Sequence, residues 1–111
     1  MERYGTVLFN GASGYQYAFT AYPRDTVFNA VGAVYLMTVR SAKQSGGFKH
    51  SSVYVGQTGD LSKTPLNPDQ TECFDRCGAN CVCVYLEEGL HARLVIEDDL
   101  LRTYNPPCNQ S

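Results

Sequence analysis

Apolar and polar positions alternate most clearly between Tyr15 and Tyr22, where Tyr15, Tyr17, Phe19 and Ala21 are separated by Gln16, Ala18 and Thr20. A period of two places the first set on one face of a strand, so one face of this segment is buried. Tyr4 to Phe9 reads as its partner, joined through the Gly-rich turn Asn10-Gly11-Ala12-Ser13-Gly14, which is a hairpin signal. Pro23 to Asn29 is a connection. Gly32 to Val39 is almost wholly apolar, which predicts a central strand buried on both faces. Arg40 to His50 carries Ser, Lys, Gln and Gly-Gly and reads as a flexible loop, and Ser52 to Gln57 follows as a fourth strand. Leu61 to Lys63 opens a helical pattern that Pro65 and Pro68 interrupt. Thr71 to Cys77 predicts a short helix with Gly78 at its C′ position. Cys81 to Leu86 is the fifth strand. Gly89 to Tyr104 is a long amphipathic helix, stopped by Asn105-Pro106-Pro107.

On that last helix, with about 3.6 residues per turn, Leu90, Leu94, Leu101 and Tyr104 form one stripe flanked by Ile96 and Leu100. Glu97 falls in the middle of the stripe. A carboxylate facing a core needs a cation, a metal ion or hydrogen-bond donors. Glu97 is therefore the first candidate for a site. A plain structural alternative stands beside it, a salt bridge to Arg93 one turn back.

The order β-β-β-β-α-β-α predicts an α+β layer fold, a mixed and mostly antiparallel small sheet flanked by helices. At 111 residues and 43% hydrophobic content, the chain has the size of one domain with a real core. Eight Tyr and five Phe without Trp suit a sheet. No stretch resembles a signal peptide or a membrane span, so a soluble cytoplasmic protein is expected. Nine Lys and Arg against eleven Asp and Glu leave a net charge of −2, which gives no whole-chain support for strong nucleic-acid binding.

The five cysteines all lie beyond residue 72, at 73, 77, 81, 83 and 108. A secreted disulfide scaffold spreads its cysteines along the chain. The cluster Cys73-x3-Cys77-x3-Cys81-x-Cys83 departs from the usual repeated zinc-ligand pairs, and Cys81 and Cys83 share one face of a strand. Unpaired thiols and no zinc are expected.

Four segments in order resemble the GIY-YIG domain of structure-specific endonucleases. They are Ala33-Val34-Tyr35 (with Ala where Gly is usual), Tyr54-Val55-Gly56 running into Gln57-Thr58-Gly59-Asp60-Leu61, the Glu-containing helix segment Ile96-Glu97-Asp98-Asp99-Leu100-Leu101, and the tail Pro106-Pro107-Cys108-Asn109. The match spans about residues 31 to 109, and the resemblance implies a core over 31–109 with residues 1–30 as an N-terminal hairpin extension. A phosphodiester hydrolase must generate a nucleophile and neutralise charge building on phosphate. The resemblance implies that Tyr35 or Tyr54 positions water, that Glu97 holds Mg²⁺ or Mn²⁺, that Asn109 supports the site, and that the substrate is DNA. Ordinary packing explains strand tyrosines equally well, and tail hydrogen bonding explains Asn109.

One departure weakens the implied activity. The family's phosphate-contacting Arg lies three residues beyond the Leu equivalent to Leu61, where this chain has Thr64. Lys63 is adjacent but turned by about 100° on a helix, and Lys does not reproduce a planar bidentate fork. Three readings follow. The first is a domain with lost or weak nuclease activity. The second is an active enzyme using Lys63, Arg76 or Arg93 as a substitute cation. The third is a protein-interaction module presenting the edge of its extra hairpin.

Overall fold

A computed structural model of the chain describes residues 3–63 and 68–109. It contains strands β1 (Gly5–Asn10), β2 (Gln16–Pro23), β3 (Ala33–Ala42), β4 (Phe48–Thr58) and β5 (Cys81–Leu86), with helices α1 (Pro68–Cys77) and α2 (Leu90–Thr103). Single 3-10 turns occupy Leu61–Lys63 and Pro107–Asn109. The strands form one sheet in the order β1-β2-β5-β3-β4. The α+β class is as the sequence predicts. Every pairing in the sheet is antiparallel, so the expected mixed character is absent among the described strands. The last strand in the chain lies between two sequence-local hairpins and joins them.

Alternating side chains build a core on each face of the sheet. Phe9, Phe19, Leu36, Val55, Ile96 and Leu100 meet on the face covered by α2. Tyr35, Met37, Val53, Val82, Leu61 and Phe74 meet on the other. β3 and β4 slip in register between Met37 and Thr38, which leaves Val53 without a partner directly opposite.

The segment 40–50 corrects the expected flexible loop. Its two arms continue β3 and β4, pairing Arg40 with His50 and Ala42 with Phe48. Only Lys43 to Gly47 turns, with Gly46 and Gly47 at positive φ. The Arg40 guanidinium lies 3.5 Å from the Phe48 ring centre and 3.9 Å from that of Tyr4. These cation–π contacts hold polar arms together that hydropathy alone reads as loop. α1 begins at Pro68, where a missing N–H costs nothing in the first turn. Thr64 and Pro65 lie outside the described residues.

The buried face of α2 also differs from the expected stripe. Arg93, Ile96 and Leu100 are buried, whereas Leu90 and Leu94 are 56% and 44% exposed. The core-facing stripe is thus turned by about one residue, roughly 100°, from the one centred on Glu97. Leu101 and Tyr104 lie at its margin.

Asp99 on α2 ties the N-terminal hairpin to the rest of the domain. Its carboxylate accepts hydrogen bonds from the Ser13 amide (2.8 Å), the Ser13 hydroxyl (2.7 Å) and the Tyr17 phenol (2.7 Å). Its carbonyl accepts from Ala12 N–H at 3.0 Å. A side chain at Gly11 would collide with this carboxylate, its Cβ lying 1.9 Å from Oδ2.

The cysteines require a further correction. Cys73 and Cys108 form a disulfide across a sequence separation of 35, joining α1 to the Pro107–Asn109 turn. Cys77, Cys81 and Cys83 are free. No helix among the described residues is long and apolar enough to cross a membrane.

Candidate functional site

Tyr35 on β3 stands opposite Gly56 on β4. Tyr54, two residues earlier on β4, projects from the same face. Their ring centres are 5.9 Å apart at an interplanar angle of 38°. Gly56 makes this arrangement possible. A Cβ there would sit 2.6 Å from a Tyr54 ring carbon and 2.7 Å from the Tyr35 phenol oxygen. The Tyr35 side chain therefore lies over bare strand backbone. Tyr54 packs on Phe74 of α1, with ring centres 5.4 Å apart, and its phenol oxygen accepts a 2.8 Å hydrogen bond from Gln70 Nε2.

Glu97 lies on α2, the helix that covers the opposite face of the sheet, and is half-buried. Burial, and then the neighbouring Asp98, push its carboxyl above the ordinary range. Burial also pushes the Tyr35 phenol up, followed by Tyr54 and then by the charge of Glu97. Tyr35 is thus linked to Tyr54 and, more weakly, to the charge of Glu97, and is held as a neutral phenol at physiological pH. Such a phenol donates a hydrogen bond and is a poor base.

Arg93 does not neutralise Glu97. Its Nε donates to Gln57 Oε1 at 2.9 Å, and Nη1 donates to the carbonyls of Glu87 (3.1 Å) and Glu88 (2.7 Å). Gly32 leaves room for it, since a Cβ at that position would come within 2.6 Å of Nη1. This buried guanidinium fastens the start of α2 to the end of β4. The other cations considered as substitutes are also engaged, Lys63 with Asp60 at 3.9 Å and Arg76 with Glu72 at 3.2 Å. Among the described residues no hydrogen bond or ion pair engages the Glu97 carboxylate.

Asn109 serves the backbone of β4. Its Oδ1 accepts from Val55 N–H and its Nδ2 donates to the Val55 carbonyl, both at 2.8 Å. Val55 lies between Tyr54 and Gly56, so Asn109 positions the strand that carries the site. The Cys73–Cys108 bond anchors the residue beside it.

The structure brings Tyr35 and Tyr54 together, links Glu97 to Tyr35 through its charge alone, and gives Asn109 a supporting place on the strand that carries Tyr54. Sequence reasoning missed Gln70 and the real role of Arg93. The buried position of Arg93 on α2 is signalled only by the apolar residues three and seven positions on, Ile96 and Leu100. Comparison of the chain with protein-family models, curated proteins and solved structures finds no match.

Proposed function

We propose that this chain is a divergent GIY-YIG-like domain whose metal-dependent DNA endonuclease activity is lost or weak. The observation that carries the reading is the meeting of Tyr35 and Tyr54 over the Gly56 backbone, with the charge of Glu97 acting on Tyr35. Two motif tyrosines on paired strands, with a carboxylate from the late helix, are the elements that the resemblance implies. A half-buried carboxylate with no internal donor among the described residues also fits a hydrated Mg²⁺ or Mn²⁺, which retains several waters and needs few protein oxygens. Such an ion, when bound, supplies charge to offset that of a phosphate. Tyr35 contributes a neutral hydrogen-bond donor, and Tyr54 is held in place by Gln70.

The weakness follows from charge. Phosphodiester hydrolysis builds negative charge on non-bridging oxygens, which a preorganised cation stabilises by several kcal/mol. Arg93 is buried and fixed by other partners, and Lys63 and Arg76 pair at the surface with Asp60 and Glu72. The position where the resemblance implies Arg is Thr64. Binding to DNA is accordingly weak in this reading. The expectation of a cytoplasmic protein belongs to it only with the Cys73–Cys108 pair reduced, since such bonds persist mainly in oxidising compartments. A protein-binding role has separate support in β1, an outer strand of the sheet on which Leu8 is 57% exposed.

The test combines metal binding with cleavage. Mn²⁺ titration followed by NMR should broaden amide signals around residues 54–57 and 94–100, and Glu97→Gln should abolish the broadening. Branched or nicked DNA with Mg²⁺ or Mn²⁺ should be cleaved slowly or not at all. Absence of broadening would remove the metal role. Fast cleavage that disappears in Glu97→Ala would show that another residue supplies the missing charge.

A further inference from the structure

A second group of side chains, apart from the tyrosines and Glu97, meets where β3, β4 and β5 lie side by side. Cys81 and Cys83 alternate onto the α2-covered face of β5 and are fully buried. His50 enters from β4, its Nδ1 4.0 Å from Cys83 Sγ and 3.0 Å from Thr38 Oγ1. One nitrogen and two sulfurs thus lie within 4.8 Å of one another. His50 is only half-buried, and it also lines a cavity of about 390 Å³ with Tyr4, Leu8, Arg40 and Phe48. The cluster therefore has an opening to solvent on its imidazole side.

We propose that His50, Cys81 and Cys83 bind one thiophilic divalent cation of the zinc class, with water from the cavity completing a tetrahedral shell. Zinc bonds of about 2.3 Å to sulfur and 2.0 Å to nitrogen set ligand–ligand separations of roughly 3.5–3.8 Å. The His50–Cys83 pair stands 4.0 Å apart, so closing on an ion needs side-chain adjustments of tenths of an ångström there. Charge supports the choice. Two thiolates and a neutral imidazole around a dication sum to zero, the arrangement that a buried site tolerates best. Binding releases the two thiol protons to solvent. Thr38, buried beside both sulfurs and the imidazole, supplies the outer-shell hydroxyl that orients such ligands. The other sulfur group, Cys73, Cys77 and Cys108, is less suited, because two of its sulfurs are bonded to each other.

The full chain, stripped by chelator and kept in degassed buffer without reductant so that Cys73–Cys108 stays closed, should be titrated with Co²⁺ alone. One equivalent should bind with thiolate-to-cobalt charge-transfer absorption, and equimolar Zn²⁺ should displace it. His50→Ala and Cys83→Ser should each weaken binding at least tenfold, while Cys77→Ser should leave it unchanged. Should Cys83→Ser fail to fold, His50→Ala at its half-buried position decides the matter. Lack of a charge-transfer band in the natural chain would overturn the proposal. So would a band that survives His50→Ala, or one lost in Cys77→Ser. None of these outcomes depends on Glu97 or on nuclease activity.

Discussion

The side-chain amide of Asn109 pairs with both backbone polar groups of Val55, donor to acceptor and acceptor to donor, each at 2.8 Å. It acts as a one-residue strand on the outer edge of β4. The residues on either side of Val55 are the two on which the site depends, Tyr54 and Gly56. Removing a partner from half-buried backbone groups costs about 1–3 kcal/mol. Asn109→Ala should therefore lower stability by that order in urea denaturation and speed hydrogen exchange at the Val55 amide. Asn109→Asp, which at neutral pH turns a second acceptor towards the Val55 carbonyl, should be no more stable than Asn109→Ala.

Gly56 should tolerate no side chain. Alanine there meets both tyrosine rings at under 3 Å, so the rings must separate or the strands must part. Overpacking of this kind costs roughly 1–3 kcal/mol. Gly56→Ala should lower the melting temperature and change the near-ultraviolet circular dichroism of the tyrosines. An unchanged spectrum would mean that the rings do not lie across this backbone.

Glu97 should make the domain less stable at neutral pH than a neutral residue in the same place. Burial raises its folded-state pKa, so its stabilising contribution is full below the unfolded carboxyl range and is lost as pH rises through the folded value. Glu97→Gln mimics the protonated form. It should be the more stable protein at pH 7.5 in urea, and the two curves should converge near pH 3. A Gln variant less stable at pH 7.5 would point to a cationic partner for Glu97.

Asp99 behaves in the opposite sense. Hydrogen bonds from Ser13 and then Tyr17 hold its pKa below the ordinary value. Its contribution is present above the unfolded carboxyl pKa and fades as pH falls through the folded value. Asp99→Asn should therefore destabilise at neutral pH and lose its effect in acid. The same bond is visible from its other end. Burial first, and Asp99 second, push the Tyr17 phenol up to about 12. Ultraviolet titration should show one tyrosine ionising near 12, shifted part of the way back in Asp99→Asn.

Local pattern carried the strands and helices whose neighbours are close in sequence. The alternation from Tyr15 to Ala21 and the apolar run ending at Val39 specify β2 and most of β3, because burial of one or both faces leaves a direct hydropathy signature. The arms around the Gly46-Gly47 turn left no such signature. Their stability comes from Arg40 stacked on Phe48 and Tyr4, contacts that a count of polar residues reads as solvent exposure. On α2, an arginine buried by three hydrogen bonds looked polar, so the face was turned away from Arg93 and towards Glu97. The meeting of Tyr35 with Tyr54 followed from pairing of adjacent strands. The Cys73–Cys108 bond and the approach of His50 to Cys83 did not, since spacing along one segment says nothing about a partner supplied by another.

The insertion of β5 between β2 and β3 has a consequence for how the chain folds. Two hairpins can form early from neighbouring residues, but neither can join the other until residues 81–86 arrive. Until then β2 and β3 each present an open row of backbone donors and acceptors, the kind of edge that recruits other chains. During synthesis that interval lasts until residues 81–86 have emerged from the ribosome. A chain halted before β5 should accumulate as aggregates rather than as a smaller folded unit, and folding of the full chain should be slow for its size because its decisive contacts are distant in sequence.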